Sequence, residues 1–183
     1  MNAPSKAVED IAATGASLDF ETIFHVHYER IARVIARVVR DPARAEELAV
    51  EIFWKLWRNN RVEGGKAGGW LYRAAVRAAL DELRRQARRE RYEWLLPFAH
   101  RSGNPEETHA ASEEREQVRR VLAAIDQRQA SLLLLRADGL SYEELAAALE
   151  LNPASIGTLI SRAQQAFRKE YERKYGKKRQ PMG

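Results

Sequence analysis

The sequence predicts an all-α chain built as two small helical bundles joined by a linker, the C-terminal one carrying a helix-turn-helix. Three observations predict it. Apolar residues recur at spacings of three and four through every long segment, the period of a helix with one buried face. No stretch alternates apolar and polar residues with the two-residue period of a strand. Helix-start signals stand where periodic segments begin. Ser141 and Glu144 form a capping box, and Asn152-Pro153 couples a capping side chain to a proline at the first helical position.

The first helix is expected over 17–39, with Phe20, Ile23, Phe24, His27, Ile31, Val34, Ile35 and Val38 on one face. Asp41-Pro42 breaks it. A second helix over 43–59 turns Ala45, Leu48, Ala49, Ile52, Phe53 and Leu56 inward. Val50, Trp54 and Trp57 form another apolar line beside that stripe. A helix so widely apolar is packed on two sides or keeps one side for a partner, and both readings stay open here. Residues 59–69, NNRVEGGKAGG, read as a flexible glycine-rich loop. They are not a phosphate-binding loop, lacking the Gly-Lys-Ser/Thr ending and a preceding strand.

A third helix is expected over 70–89, with Leu71, Ala74, Ala75, Ala78 and Leu83 as core positions and the run RRQARRER at its end. Residues 93–112 read as the linker, and Trp94, Leu95, Leu96 and Phe98 suggest that its first part docks on something. The second bundle then holds helices over 113–124 and 128–137, followed by the helix-turn-helix. In that motif Leu145, Ala146 and Leu149 face inward from the first helix, and Ile156, Leu159, Ile160, Ala163 and Phe167 from the second. Two helices joined this tightly, the second ending in Arg168, Lys169, Arg173 and Lys174, suit a module that places one helix in the DNA major groove. Residues 1–17 and 177–183 read as tails, the latter basic.

Charge points to the same class of partner. Lys and Arg total 31 against 26 Asp and Glu in 183 residues, a net charge of +5. The excess is concentrated: residues 72–91 hold seven arginines against three acids, and residues 154–179 hold eight Lys/Arg against two. Two basic stretches make two contact points for a polyanion. The absence of cysteine excludes disulfides and thiolate metal sites. No apolar run approaches the roughly 18 residues needed to span a bilayer, and the N-terminus has no apolar signal core, so no membrane insertion and a cytoplasmic location are expected. His25 and His27, two apart on a helix, point to different faces and make a poor metal pair. His100 and His109 lie in the linker without ligand partners, and acid pairs such as Glu46-Glu47 fit solvated helix faces. No metal, no cofactor and no enzymatic activity are expected.

The arrangement resembles the extracytoplasmic-function (ECF, group IV) sigma factors of bacterial RNA polymerase, within the sigma-70 family. DPARAEELAVEIFWKLW (41–57) is similar to the segment that docks on the clamp helices of the polymerase. WLYRAAVRAALDELRR (70–85) is similar to the helix that reads the −10 promoter element, and IDQRQASLLLLRADGLSYEELAAAL (125–149) with its following helix to the module that reads the −35 element. The resemblance implies a region 2-like domain over 18–92, a linker over 93–112 and a region 4-like domain over 113–176. It implies core RNA polymerase and promoter DNA as partners; the family often has an anti-sigma factor too. The free chain is expected to be a monomer.

The implied site residues follow position by position. Glu47, Val50, Glu51, Trp54 and Trp57 would face the polymerase. Trp70, Tyr72, Arg73, Arg77, Arg84, Arg85 and Arg88 would serve the −10 element, the arginines meeting phosphates while the 59–69 loop cups an unstacked base. Asn152, Ser155, Thr158, Ser161 and Arg162 would reach the −35 element, and of these only Arg suits bidentate contact with guanine. Several positions depart from the family. Glu47 stands where Asp is usual, Val50 replaces a polar Gln, and Arg77 takes the place of Asn. Gly157, Leu159 and Gln164 occupy commonly basic positions, and Ala154-Ser155 replaces a Gly-Thr pair. Two other readings stand beside this one: a stand-alone helix-turn-helix regulator, and a degenerate sigma-like module that only binds a protein partner.

Overall fold

In a computed structural model that describes residues 19–59, 62, 64–93 and 109–176, the chain forms seven α-helices and no strand among the described residues. Helix α1 (Phe20–Ala36) starts where the Asp19 carboxylate accepts from the Thr22 N–H. It is shorter than its apolar period. The chain turns after Ala36, yet Val38 and Val39 stay buried because their N–H groups bond back to the Ile35 carbonyl. Helix α2 (Pro42–Arg58) follows directly, because Asp41 caps Ala43 and Arg44 while Pro42 takes the first helical turn. The dipeptide that ends one helix thus begins the next.

Helix α3 (Ala67–Glu93) is the longest element. It starts three residues before the sequence period suggests, preceded by one 3₁₀ turn at Gly64–Lys66, so part of the expected loop is helix. Residues 60, 61 and 63 lie outside the described residues, as do the N-terminal tail to residue 18, residues 94–108 and 177–183. The expected docking of Trp94, Leu95, Leu96 and Phe98 therefore falls outside them too. The second bundle contains α4 (His109–Ala124), α5 (Gln127–Ala137), α6 (Tyr142–Leu149) and, after a 3₁₀ turn at Pro153–Ser155, α7 (Ile156–Tyr175). Asp126 caps α5. Ser141 and Glu144 complete the capping box at α6, with bonds of 3.2 and 2.7 Å. Gly139, at φ +94°, makes the turn between α5 and α6 that an L side chain would strain.

The two bundles are not held apart. Their buried residues form one continuous core, from Ile31, Ile52 and Phe53 through Leu71 and Leu80 to Leu132, Leu140 and Ile156. Helix α3 explains this. Its buried positions are Ala67, Leu71, Tyr72, Ala75, Val76, Ala79, Leu80, Glu82 and Leu83, a band wider than the single stripe the period picks out. One part of the helix packs on α1 and α2, and another on α4, α5 and α6. A small-residue run, rich in alanine, lets neighbours approach α3 from both sides.

Candidate nucleic-acid and polymerase interface

Three groups of candidate residues sit on three different surfaces. The first is a ridge on α2. The stripe from Ala45 to Leu56 is buried as the spacing predicts, while Val50 (55%), Trp54 (54%) and Trp57 (56%) stay exposed. Positions i, i+4 and i+7 share one helix face, and the Trp54 and Trp57 ring centres lie 4.9 Å apart. Glu47 and Glu51 are exposed beside them. Of the two readings left open by sequence, the structure supports the unpartnered side.

The second group lies along α3. Here the structure separates residues that look equivalent in sequence. Arg77, Arg88 and Arg89 are exposed and have no ion pair among the described residues. Arg85 is half exposed and folds back on Glu82, with bonds of 2.9 and 2.7 Å. Arg73 donates to the Ala148 carbonyl at 2.7 Å and pairs with Glu150 at 2.9 Å. Arg84 donates to the Ala123 and Ile125 carbonyls and to Gln127 Oε1 at 3.2–3.4 Å. Trp70 is half-buried, packed against the core. Tyr72 is buried, with its hydroxyl unbonded within the protein and the Arg30 guanidinium 5.6 Å from its ring centre. In this arrangement Tyr72 does not face solvent.

Glu82 organises the far side of the helix. Burial pushes its carboxyl up, but the hydrogen bonds and positive charges of Arg85 and Arg44 together more than offset that, and it ends below the usual carboxylate range. Arg44 also reaches Glu47 at 2.9 Å and Glu51 at 3.3 Å, so one guanidinium ties two exposed acids of α2 to Glu82 of α3. Nothing in the sequence marks that pairing, which spans 38 positions between Arg44 and Glu82.

The third group crowns the second bundle. Asn152, Ser155, Thr158, Ser161 and Arg162 are all exposed, gathered by one 3₁₀ turn and the first two turns of α7. Asn152 caps the turn by accepting from Ala154. Arg162 has no ion pair among the described residues. Behind this face, Ile156, Ile160 and Ala163 are buried as the helical spacing predicts, and Leu159 and Phe167 pack on the core. Gly157 sits over Tyr142, where an added Cβ would come no closer than 3.6 Å to the ring.

The glycines expected to loosen the 59–69 loop do something else. Gly68 and Gly69 lie in the first turn of α3 where neighbours approach closely. An added Cβ would stand 3.1 Å from the His27 ring at Gly68 and 3.2 Å from the Ala147 carbonyl at Gly69. His27 is pressed there by burial, which with the nearby Arg30 holds its imidazole below the ordinary histidine range. His25, by contrast, is exposed beside Glu21. Among the described residues no cluster of three or more histidines and carboxylates forms a metal-binding set, and no helix is long and apolar enough to cross a membrane.

The family model for Sigma-70 region 2 matches residues 23–89, and that for Sigma-70, region 4 matches residues 115–166. The chain is 30% identical over 153 residues to the ECF RNA polymerase sigma factor SigK of Mycolicibacterium vanbaalenii, covering 76% of this chain and 75% of that protein. It is 26% identical over 176 residues to the ferric citrate uptake sigma factor FecI of Escherichia coli, covering 90% and 99%. Among solved structures, CnrH in complex with the cytosolic domain of CnrY superposes with a TM-score of 0.51 over 89% of this chain and 94% of that one. At 18% identity that likeness shows a shared fold.

Proposed function

We propose a division of labour for this chain, which belongs to the ECF sigma factors of the sigma-70 family and acts in promoter recognition for RNA polymerase. Residues 18–92 dock on core polymerase and serve the −10 element, and residues 113–176 read the −35 element. The observation that carries this is the Val50, Trp54 and Trp57 ridge, exposed on a helix whose opposite side is core. Three large apolar side chains left in water by a chain that buries its other stripes have a partner to meet. In a sigma factor that partner is the polymerase, with Glu47 and Glu51 flanking the contact.

The α3 arginines supply cations for phosphates and an exposed strand, Arg77 and Arg88 most directly because no ion pair among the described residues holds them. At the second domain, Arg162 is the residue suited to a guanine edge, and Asn152, Ser155, Thr158 and Ser161 supply shorter polar contacts. With Gly157, Leu159 and Gln164 at commonly basic positions, −35 binding is weaker and less salt-dependent than a more basic helix would give. Free protein is a monomer that binds duplex weakly, specific binding arises with polymerase, and an anti-sigma factor is a further partner of the kind the family often has.

The test is Val50→Asp. Polymerase co-purification should fall while the helical circular-dichroism signal is kept and stability changes by no more than about 0.5 kcal/mol, as for an exposed position. A variant that unfolds, or one that still binds polymerase as wild type does, removes the ridge from the interface. Tight sequence-specific DNA binding by the free protein at physiological salt would favour the stand-alone regulator instead.

A further inference from the structure

Helices α4, α5 and α7 form between them an apolar groove of about 760 Å³. Val118 and Leu122 line it from α4, Leu133 and Leu134 from α5, and Phe167 and Tyr171 from α7. Val118, Leu133, Phe167 and Tyr171 are only half-buried, so the groove presents large apolar side chains to water. The Tyr171 hydroxyl donates to Gln117 Oε1 at 2.7 Å, and its ring lies nearly parallel to that of Phe167 with centres 6.2 Å apart. Those contacts fix the orientation of both rings. Glu114, Gln164, Arg168 and Glu172 stand around them as a polar rim. An apolar floor inside a polar rim is the anatomy of a docking surface.

The chain itself supplies a segment of matching chemistry close by. Trp94, Leu95, Leu96 and Phe98 put four large apolar side chains into five residues that carry no charge. They follow directly on Glu93, the last residue of α3. Arg40 fixes where that end lies, because its guanidinium pairs with Glu90 of α3 at 2.8 Å and also with Glu116 of α4. Glu114 and Val118 line the groove, and Glu116, two residues from each, points to a different face of α4. The segment therefore has to pass around one helix, about 10–12 Å across. Five extended residues reach roughly 16–18 Å. Pro97 suits that path, because it disfavours helical backbone at Leu96. Residues 99–108 span up to roughly 33 Å and lead back to His109, where α4 begins.

We propose that residues 94–98 dock in this groove, so that the chain's own linker covers the apolar face of its second bundle. Docking takes apolar surface out of water on both sides and leaves the charged rim solvated. The tether holds the segment at an effective concentration on the order of millimolar. A second copy of the chain or a separate partner must compete with that to occupy the same groove. Such docking is independent of which promoter element each bundle serves.

The chain has no cysteine, so introduced thiols report contact directly. In the full-length chain, Ala99→Cys is paired in turn with Gln164→Cys and Glu172→Cys on the rim, and with Glu143→Cys on α6, outside the groove. Under mild oxidation a rim pair should form an intrachain disulfide about tenfold or more faster than the Glu143 pair, because docking raises the local concentration. Equal rates overturn the proposal. Disulfides between chains that increase with protein concentration overturn it too, and assign the groove to a second copy. Fluorescence gives a readout without thiols. The difference between wild type and Trp94→Phe isolates the emission of Trp94, which should be blue-shifted and protected from iodide. Leu133→Glu, which places a charge in the groove, should shift that emission to the red and open it to iodide while the helical circular-dichroism signal is kept. Leu95→Ser with Leu96→Ser, which changes no residue of the bundle, should do the same and slow the rim crosslink to the Glu143 rate. A Trp94 already open to iodide in wild type, or one that Leu133→Glu leaves unchanged in a folded chain, overturns the proposal.

Discussion

The basic face of α3 and the start of α7 invert the order that charge density suggests. Helix α3 carries seven arginines over residues 72–91, but Arg73, Arg84 and Arg85 are engaged with protein acceptors. The start of α7 has a single arginine, and it is free among the described residues. A cation already bonded must be released before it binds a phosphate, and that release subtracts from affinity. A sparse but unpartnered face can therefore match a denser, engaged one. Formal charge counts donors; structure counts which of them are available.

The largest expected effect would break the comparison outright. Arg84→Ala with Arg85→Ala should reduce promoter-directed transcription by on the order of 3 kcal/mol, since charge-assisted bonds contribute about 1.5–3 kcal/mol each. Run-off assays should show it exceeding Arg162→Ala, which removes at most one bidentate base contact worth about 1–3 kcal/mol. If Arg162→Ala is the more damaging, the free face dominates recognition and α3 is chiefly structural.

A smaller effect sharpens the contrast through stability. Arg84→Ala leaves the carbonyls at the end of α4 and the Gln127 side chain at the start of α5 without their donor and should lower stability by about 1–2 kcal/mol, read as a shift in urea midpoint. Arg88→Ala and Arg162→Ala should each stay within about 0.5 kcal/mol of wild type. Equal costs at all three would mean the engaged arginines are no more embedded than the free ones.

Acid titration addresses Glu82, the carboxylate that holds Arg85. Its folded pKa lies below its ordinary 4.5. A depressed carboxyl contributes stability that is fully present above the unfolded value and is lost as pH falls through the folded one. Melting temperature should therefore drop as pH falls below about 4.5, and Glu82→Gln should flatten that limb. An unchanged limb in Glu82→Gln would assign the acid sensitivity to other carboxylates. His27 acts higher on the scale with the same sign: a half-buried imidazole held below the ordinary range costs the fold stability as pH falls below about 6.5.

The smallest effect concerns the recognition helix. Gly157 is helical, with ordinary space for a Cβ against Tyr142. Gly157→Ala should raise stability by about 0.5–1 kcal/mol through lower backbone entropy in the unfolded chain. A drop in midpoint would show that Tyr142 and Gly157 are tighter than this, and that the glycine is a packing requirement.

Local signals were sufficient wherever neighbouring residues decide the outcome. The capping box at Ser141 and Glu144, the proline starts at Pro42 and Pro153, and the buried stripes of α2 and α7 depend on contacts a few residues apart, so all could be read from the chain. The same holds for the exposed polar set at the start of α7, because residues that cap and open a helix point away from its core. Tertiary structure alone decided the rest. By sequence Gly68 and Gly69 look like loop formers, whereas in the fold they lie in the first turn of α3 and allow close approach to His27 and Ala147. The width of the buried band on α3, the role of Glu82 and the engagement of Arg73 and Arg84 depend on acceptors 38 to 75 positions away. An arginine's sequence neighbours set its helix and its face. Whether its charge is free is set by what folds against that face.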